Sequence, residues 1–445
     1  MVAPRVGIVV TGNVAESGLE RADGLRKELK AALESRDMEV ELETETVTDD
    51  AAALRVGKRF REAKADTVVV VNATWTRDTI PYLMMKESGA VLFLLGLPFP
   101  ETYSLASVHH LAGLLTNRKI PFKYAYGLPS DEAVIDAIAR YANVVTLTRR
   151  ETPLKVGLIG SRPTWRAFGP QDMTEGEWDL DELLGTTVVH IEMDEFCDAA
   201  ARVDASCQQE LLDRIKKEGR VPASALREEK RLLKAAAEYL AIRELQQKYL
   251  LGAATIETYP YAWGIANLAA AWLADDGFVL ETEGDLVRTS LMAIISQLTS
   301  RPSMLGELAH IDRENGLVYV GHAGSAGMSL AESMDDVTIA GEGESGSFVQ
   351  FPIKKMAEAS LIAFWKQCGT PSLLVVPCES LGMESEEWQA MGAVSLAKLR
   401  ADSFREDVLD FLISLGVEHH VVVSQGNLTE DLTDWARLHG IKVGA

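Results

Sequence analysis

Two glutamates and three histidines in the second half of the chain are the residues best suited to chemistry. Glu283 stands in ETEGDLVRTSLMAIISQL, where Glu281, Glu283 and Asp285 precede an amphipathic helical pattern. Acidic side chains are favoured at a helix start by the dipole alone. The glycine directly after Glu283 also lets a ligand or another backbone approach closely. Glu307, in MLGELAHID, lies in or beside an apolar strand, where a carboxylate needs a lysine, an arginine or a metal as partner. His322 ends the apolar run LVYVGH and is followed by small residues; such a histidine either bonds the backbone or faces a ligand. His419 and His420 open the strand HHVVVS. Strand alternation turns neighbours to opposite faces, so one of the pair would face a given site while the other packs or braces it. Glu283, Glu307, His322 and His420 form a mixed carboxylate–imidazole set, which suits Mn²⁺, Mg²⁺ or Co²⁺ better than a thiolate-type zinc site. They are far apart in sequence, so the fold must gather them.

Bulk composition sets the frame. A chain of 445 residues exceeds what one hydrophobic core usually serves, so two or three domains are expected. Hydrophobic residues make up 47% and charged residues 25%, as in ordinary globular protein. A net charge of −22 argues against nucleic-acid and anionic-membrane partners, which would be repelled. Cys197, Cys207, Cys368 and Cys378 have no metal-ligand spacing and read as reduced thiols. The opening MVAPRVGIVVTG lacks the apolar core of a signal peptide, and no apolar run reaches the length of a membrane span; the expected location is the cytoplasm.

The first 150 residues alternate short apolar runs with helical stretches: strands near 6–12, 67–75 and 91–98, helices near 16–34 and 51–65. This predicts a parallel sheet covered on both faces, with the loops 72–77 and 96–103 at its ligand-binding carboxyl edge. A second α/β unit, residues 151–300, restarts at LKVGLIGSRP and carries Glu283. Its long helical region, 206–251, is interrupted at 219–222. Neither VTGN nor LIGSRP completes a G-x-G-x-x-G dinucleotide fingerprint. Residues 301–445 change to short strands between glycine-rich turns, predicting an antiparallel, barrel-like domain that carries Glu307, His322 and His420. DRENG reads as a hairpin turn in it, and Asn427 or Thr429 as the cap of a final helix.

Three segments resemble the L-arabinose isomerases. GFVLETEGDLVRTSLMAII resembles the stretch in which a glycine-rich run leads into Glu-Gly-Asp and a helix. There the glutamate is a metal ligand and acid/base residue, which implies that role for Glu283. LGELAHIDRENGLVYVGHAG resembles the family's next landmark, a hairpin with a glutamate on one strand and a histidine ending the other. It implies the second catalytic glutamate at Glu307 and a metal histidine at His322. GVEHHVVVSQGNLTEDLTDWARLHGIKV is similar to the family's C-terminal His-His strand, implying the last ligand at His420, with His419 as the alternative or a substrate contact. The L-fucose isomerases share the fold and the paired carboxylates.

The resemblance implies two Rossmann-like parallel-sheet domains followed by a β-rich, barrel-like C-terminal domain. It further implies a metal-dependent aldose–ketose isomerase, using Mn²⁺ or another divalent cation such as Co²⁺ or Mg²⁺. Its substrate would be an open-chain pentose or hexose, converted by proton transfer through an enediol, and its state a homo-oligomer in which a neighbour's first domain completes the cleft. SLASVHHLAGLLTNRKIPFKYAYG faintly resembles a substrate-contacting loop, so His109, His110 and Asn117 are sugar contacts by this reading and packing or capping residues by the plainer one. The chain is shorter than typical L-arabinose isomerases, which leaves the sugar open. A sugar epimerase with the same metal site and a non-catalytic sugar-binding protein are the rival readings; product analysis and loss of the ligands, respectively, would mark them.

Overall fold

Runs of valine and leucine with no polar interruption become the central strands of the first unit. In the computed structural model, which describes residues 3–149, 153–160, 177–258, 262, 264–324, 326–341, 347–367, 369–392, 394–405 and 408–444, the chain divides into Met1–Glu151 and Thr152–Ala445. The first unit alternates β1 (Arg5–Thr11), α1 (Ala22–Glu34), β2 (Glu39–Leu42), α2 (Asp50–Glu62), β3 (Thr67–Asn72), α3 (Thr79–Ser88), β4 (Val91–Gly96), α4 (Ser104–Asn117), β5 (Phe122–Tyr126) and α5 (Glu132–Thr148). All strands are parallel, in the order β2-β1-β3-β4-β5. Strands β3 and β4 are buried along their whole length, as a sheet covered on both faces requires. One face packs Val9, Val70 and Leu94 against Phe60, Met84 and Leu111 of α2, α3 and α4. On the other, Phe93 meets Tyr141 of α5 edge to face. Asp49 caps α2 by accepting the N–H of Ala52 at 2.8 Å. The helix expected from residue 16 begins only at Ala22, because Gly18 takes φ 121° and a short 3₁₀ turn follows it.

The second unit begins with β6 (Leu154–Ile159), α6 (Glu177–Leu184), β7 (Thr186–Ile191), α7 (Met193–Arg202), α8 (Ala205–Lys217), α9 (Glu229–Tyr249), β8 (Ala253–Ile256), α10 (Asn267–Asp275) and β9 (Val279–Glu281). Its four strands are again parallel, in the order β7-β6-β8-β9. The long helical region breaks between Lys217 and Glu229, where Gly219 has φ 71° and Pro222 follows. Helix α11 (Leu286–Thr299) comes next, and residues 286–295 of it are buried all round instead of on one stripe. The cause is its position, for it packs against strands of the parallel sheet and of the sheet that follows.

That following sheet contains β10 (Ser303–Asp312), β11 (Leu317–His322), β14 (Met356–Gln367), β15 (Thr370–Ser380), β16 (Ser395–Arg400), β17 (His420–Gln425) and the short β18 (Lys442–Val443). Between them lie β12 (Thr338–Ala340) paired with β13 (Phe348–Gln350), and the helices α12 (Ser385–Ala390), α13 (Val408–Leu415) and α14 (Thr429–Leu438). The order is β14-β17-β10-β11-β16-β15-β18, and β14 also pairs with β15. Six antiparallel strands therefore close into a ring, with β18 added parallel to β15. One apolar core runs from the helices of the parallel sheet into this barrel, taking in Leu245, Ile256, Trp272, Val318, Phe351 and Val423. Asn427 lies before α14 and accepts the N–H of Thr429 at 3.2 Å, while Leu428 holds the capping position.

Cys197, Cys207 and Cys378 are free thiols, and Cys368 lies outside the described residues. Among the described residues, no helix is long and apolar enough to cross a membrane.

Candidate metal centre

The turn after β9 is shaped by a carboxylate that takes no part in the cluster it supports. Glu281, 2% exposed, accepts the N–H of Glu283 at 2.7 Å and the N–H of Asp285 at 2.9 Å, together with the hydroxyl of Thr255. Thr255 in turn accepts the N–H of Gly284 at 2.9 Å, and the Thr258 hydroxyl donates to the carbonyl of Thr282 at 2.6 Å. Three successive N–H groups of a buried turn are thus satisfied by side chains of β8 and β9. Gly284 sits at φ 81°, and a β-carbon there would collide with Oε2 of Glu257, so the sequence needs glycine. Asp285 then caps α11, accepting the N–H of Arg288 at 2.9 Å.

The barrel supplies the other groups by register. On β10, Glu307 stands opposite His420 of β17 on one side and Gly321 of β11 on the other. His322, the last residue of β11, brings its ring to 5.6 Å from that of His420. Oε1 of Glu283 lies 3.6 Å from Nε2 of His322, and its Oε2 lies 3.8 Å from Nε2 of His420. Oε1 of Glu307 is 3.5 Å from Nε2 of His420 and 3.3 Å from Nε2 of His419. Glu283, His322 and His420 are buried, whereas the Glu307 side chain is 46% exposed. In each of two triples, Glu283–His322–His420 and Glu307–His419–His420, the donor atoms lie within 4.8 Å of one another.

These separations fit a divalent cation. Two donors bound at roughly 2.1 Å to one ion stand about 3–4.2 Å apart. The Glu283–His322, Glu283–His420 and Glu307–His420 gaps, 3.6, 3.8 and 3.5 Å, lie in that range and exceed good N–H···O bonds. His420 shows how the ring is aimed. Its Nδ1 lies 2.9 Å from Oδ2 of Asp285, and both side chains are fully buried. Burial pushes the Asp285 carboxyl up, but Arg288 and His420 outweigh that and hold it below its ordinary value. The neighbouring imidazoles of His419 and His420 keep Glu307 well below the usual carboxylate range despite its partial burial. His322 is turned the other way: its Nδ1 accepts the N–H of Gly324 at 2.8 Å, leaving the ring proton on Nε2, toward Glu283. Ligation through Nε2 therefore requires Gly324 to release Nδ1.

The expectation that only one of His419 and His420 faces the site is corrected. His419 precedes β17 by one residue, so pleat alternation does not bind it, and its ring lies 4.2 Å from that of His420. His109 and His110 lie on α4 of the first unit, exposed, with Nε2 of His110 3.9 Å from Asp78; Asn117 is the exposed last residue of that helix. Asp285 and Glu281 escaped sequence reasoning as positioning groups. Their signal was the spacing Glu-x-Glu-Gly-Asp, three acids in five residues, more than a helix dipole calls for.

No family model matches the chain. Curated relatives do. A sulfoquinovose isomerase of Priestia aryabhattai is 24% identical over 345 residues, covering 75% of this chain and 74% of its own. One of Alkalicoccus urumqiensis is 22% identical over 353 residues (76% and 75%), and one of Clostridium sp. (strain MSTE9) is 24% identical over 322 (70% and 69%). Among solved structures, an ABC transporter solute binding protein from Burkholderia multivorans aligns over 68% of this chain and 95% of its own at 14% identity. Its TM-score of 0.20 is too low to carry an argument. The relatives do not single out the L-arabinose or L-fucose isomerases. Matches of this extent to four sugar isomerases make the chain an isomerase enzyme.

Proposed function

We propose that the chain is a divalent-cation-dependent aldose–ketose isomerase acting on an open-chain pentose or hexose. The observation that carries this reading is that Glu283, His322 and His420, from three separate parts of the sequence, bring ligand atoms within 4.8 Å of one another, with Glu307 3.5 Å from Nε2 of the same His420. A bound cation, Mn²⁺ by the donor set, would polarise the sugar carbonyl and stabilise charge developing on its oxygen. The residues supply the rest. One glutamate takes the proton from the carbon beside the carbonyl while the carbonyl oxygen gains one, giving the enediol. The other glutamate protonates the former carbonyl carbon as the second hydroxyl releases its proton, and solvent exchange resets the two carboxyls. Glu283 and Glu307 approach the centre from different elements, the turn before α11 and strand β10, so each can serve one of the two carbons. Their roles exchange for the reverse reaction.

The relatives' name adds a sulfonated hexose to the candidate substrates. Among the described residues, Arg288 lies beside the cluster, is 1% exposed and is engaged by Asp285 and Glu418 at 3.6 and 2.9 Å, so it is no open sulfonate receptor. A neutral aldose is the better match to a chain of net charge −22.

The test is an aldose panel that includes L-arabinose, L-fucose, D-arabinose, galactose and sulfoquinovose, assayed with Mn²⁺ and with chelator. Ketose should form with the ion and not without it. Appearance of an epimer instead would reassign the reaction, and turnover unaffected by chelator or by Glu283→Gln would remove the metal and acid/base assignments. We also propose a homo-oligomer; full activity in a species sedimenting as a monomer would reject it.

A further inference from the structure

We propose that Asp285 is a positioning residue that fixes the tautomer of His420, holding the proton on Nδ1 so that the Nε2 lone pair is turned toward Glu283 and Glu307. The inference rests on the metal-dependent reading of the site. Its basis is how Asp285 divides its two oxygens. Oδ1 accepts the N–H of Arg288 and caps α11; Oδ2 faces Nδ1 of His420 at 2.9 Å, with Nε of Arg288 at 3.6 Å. An ionised carboxylate only accepts, so Nδ1 carries the proton. Both residues are fully buried, and water does not compete for the bond.

The backbone leaves the ring little choice of place. His420 is held by β17 opposite Glu307, and Asp285 by the turn that Glu281 braces. Arg288 ties the arrangement further, since its Nη2 reaches Glu418 at 2.9 Å, two residues before His420. A carboxylate behind a ligating histidine commonly sets which nitrogen is offered to the ion.

Asp285→Asn separates positioning from folding. Asparagine remains a good helix cap through its oxygen. Its NH₂ group would then face Nδ1 and donate, which moves the ring proton to Nε2. The ring stays in place in the wrong tautomer, the outcome expected when an amide replaces the acid behind a functional histidine.

The experiment uses the full chain with ¹⁵N-labelled histidine, His420 being assigned by loss of its signals in His420→Gln. The metal-free protein is examined by NMR, and MnCl₂ is then titrated calorimetrically. In the wild type Nδ1 of His420 should be protonated. In Asp285→Asn it should be bare, with the melting temperature retained and Mn²⁺ affinity reduced roughly ten- to hundredfold. Asp285→Glu, which keeps the acceptor, should retain a protonated Nδ1; it also serves should the asparagine variant fail to fold. A bare Nδ1 in the wild type, or Asp285→Asn binding Mn²⁺ as tightly as the wild type, would overturn the proposal. A wild type with protonated Nδ1 that binds no Mn²⁺ would support the hydrogen bond and remove the metal reading instead.

Discussion

A β-carbon at Gly284 would run into Oε2 of Glu257, the end of a side chain that would have to move aside from the turn that presents Glu283. Gly284→Ala combines two penalties. A left-handed backbone at φ 81° costs an alanine roughly 1–2 kcal/mol, and the collision adds to it. Glu257→Ala removes the obstacle and leaves the backbone cost. The double variant should therefore be more stable than the sum of the single changes, by about 1 kcal/mol or more, in urea unfolding. Simple additivity would show that Glu257 gives way without cost.

The brace beneath that turn should be equally sensitive. Glu281 accepts two N–H groups and a hydroxyl through two oxygens, and glutamine has only one oxygen to offer. Glu281→Gln should leave a buried donor unsatisfied, costing about 1–3 kcal/mol. It should also weaken Mn²⁺ binding, although Glu281 is not in the ligand set. Unchanged stability together with unchanged calorimetric affinity would show that the turn holds its shape without the brace.

Much of this arrangement was legible in the sequence, and the failures have physical causes. Strands β3 and β4 announce themselves because a parallel strand buried on both faces must be a continuous apolar run. The hairpin of Glu307 and His322 was readable for a local reason, the turn DRENG. Strands β14 and β16 were not singled out, since MAEASLIAFWKQ and SLAKLR carry polar residues and are strands only because the barrel ring closes over them. His419 was misjudged because pleat alternation applies inside a strand and the residue stands just outside one. Asp285 could be seen as a helix-start acid, but its second duty depends on a ring 135 positions away, which no local pattern reports.

Ion entry should leave a mark on His322. In this structure its Nδ1 accepts from Gly324, which puts the proton on Nε2, the nitrogen nearest Glu283. A neutral histidine cannot accept at Nδ1 and ligate through Nε2 together. Titration with diamagnetic Mg²⁺ should therefore move the Gly324 amide resonance strongly, with amide exchange faster in the loaded form. His322→Gln should abolish that movement. A Gly324 amide that keeps its shift at saturating Mg²⁺, while calorimetry shows binding, would exclude His322 Nε2 from the ligand set.

A buried carboxylate outside the candidate ligand set gives the protein a pH dependence of its own. Glu238, on α9, is 7% exposed, and burial pushes its carboxyl up to about 7, with Lys234 at 4.0 Å opposing only in part. The folded protein thus holds this proton more tightly than the unfolded chain, whose ordinary value is 4.5. Stability from Glu238 is then greatest below about pH 4.5 and is lost as pH rises toward and through 7, in total by roughly 3 kcal/mol. Paired carboxylates such as Asp285, whose folded value is depressed, act oppositely and at lower pH. Glu238→Gln keeps the shape and removes the titration. Its unfolding free energy should fall less than that of the wild type between pH 5 and 8, so that the variant gains relative stability at the alkaline end. Parallel stability curves for the two proteins across that interval would show that Glu238 is charged in the fold at little cost, with Lys234 compensating its burial in full.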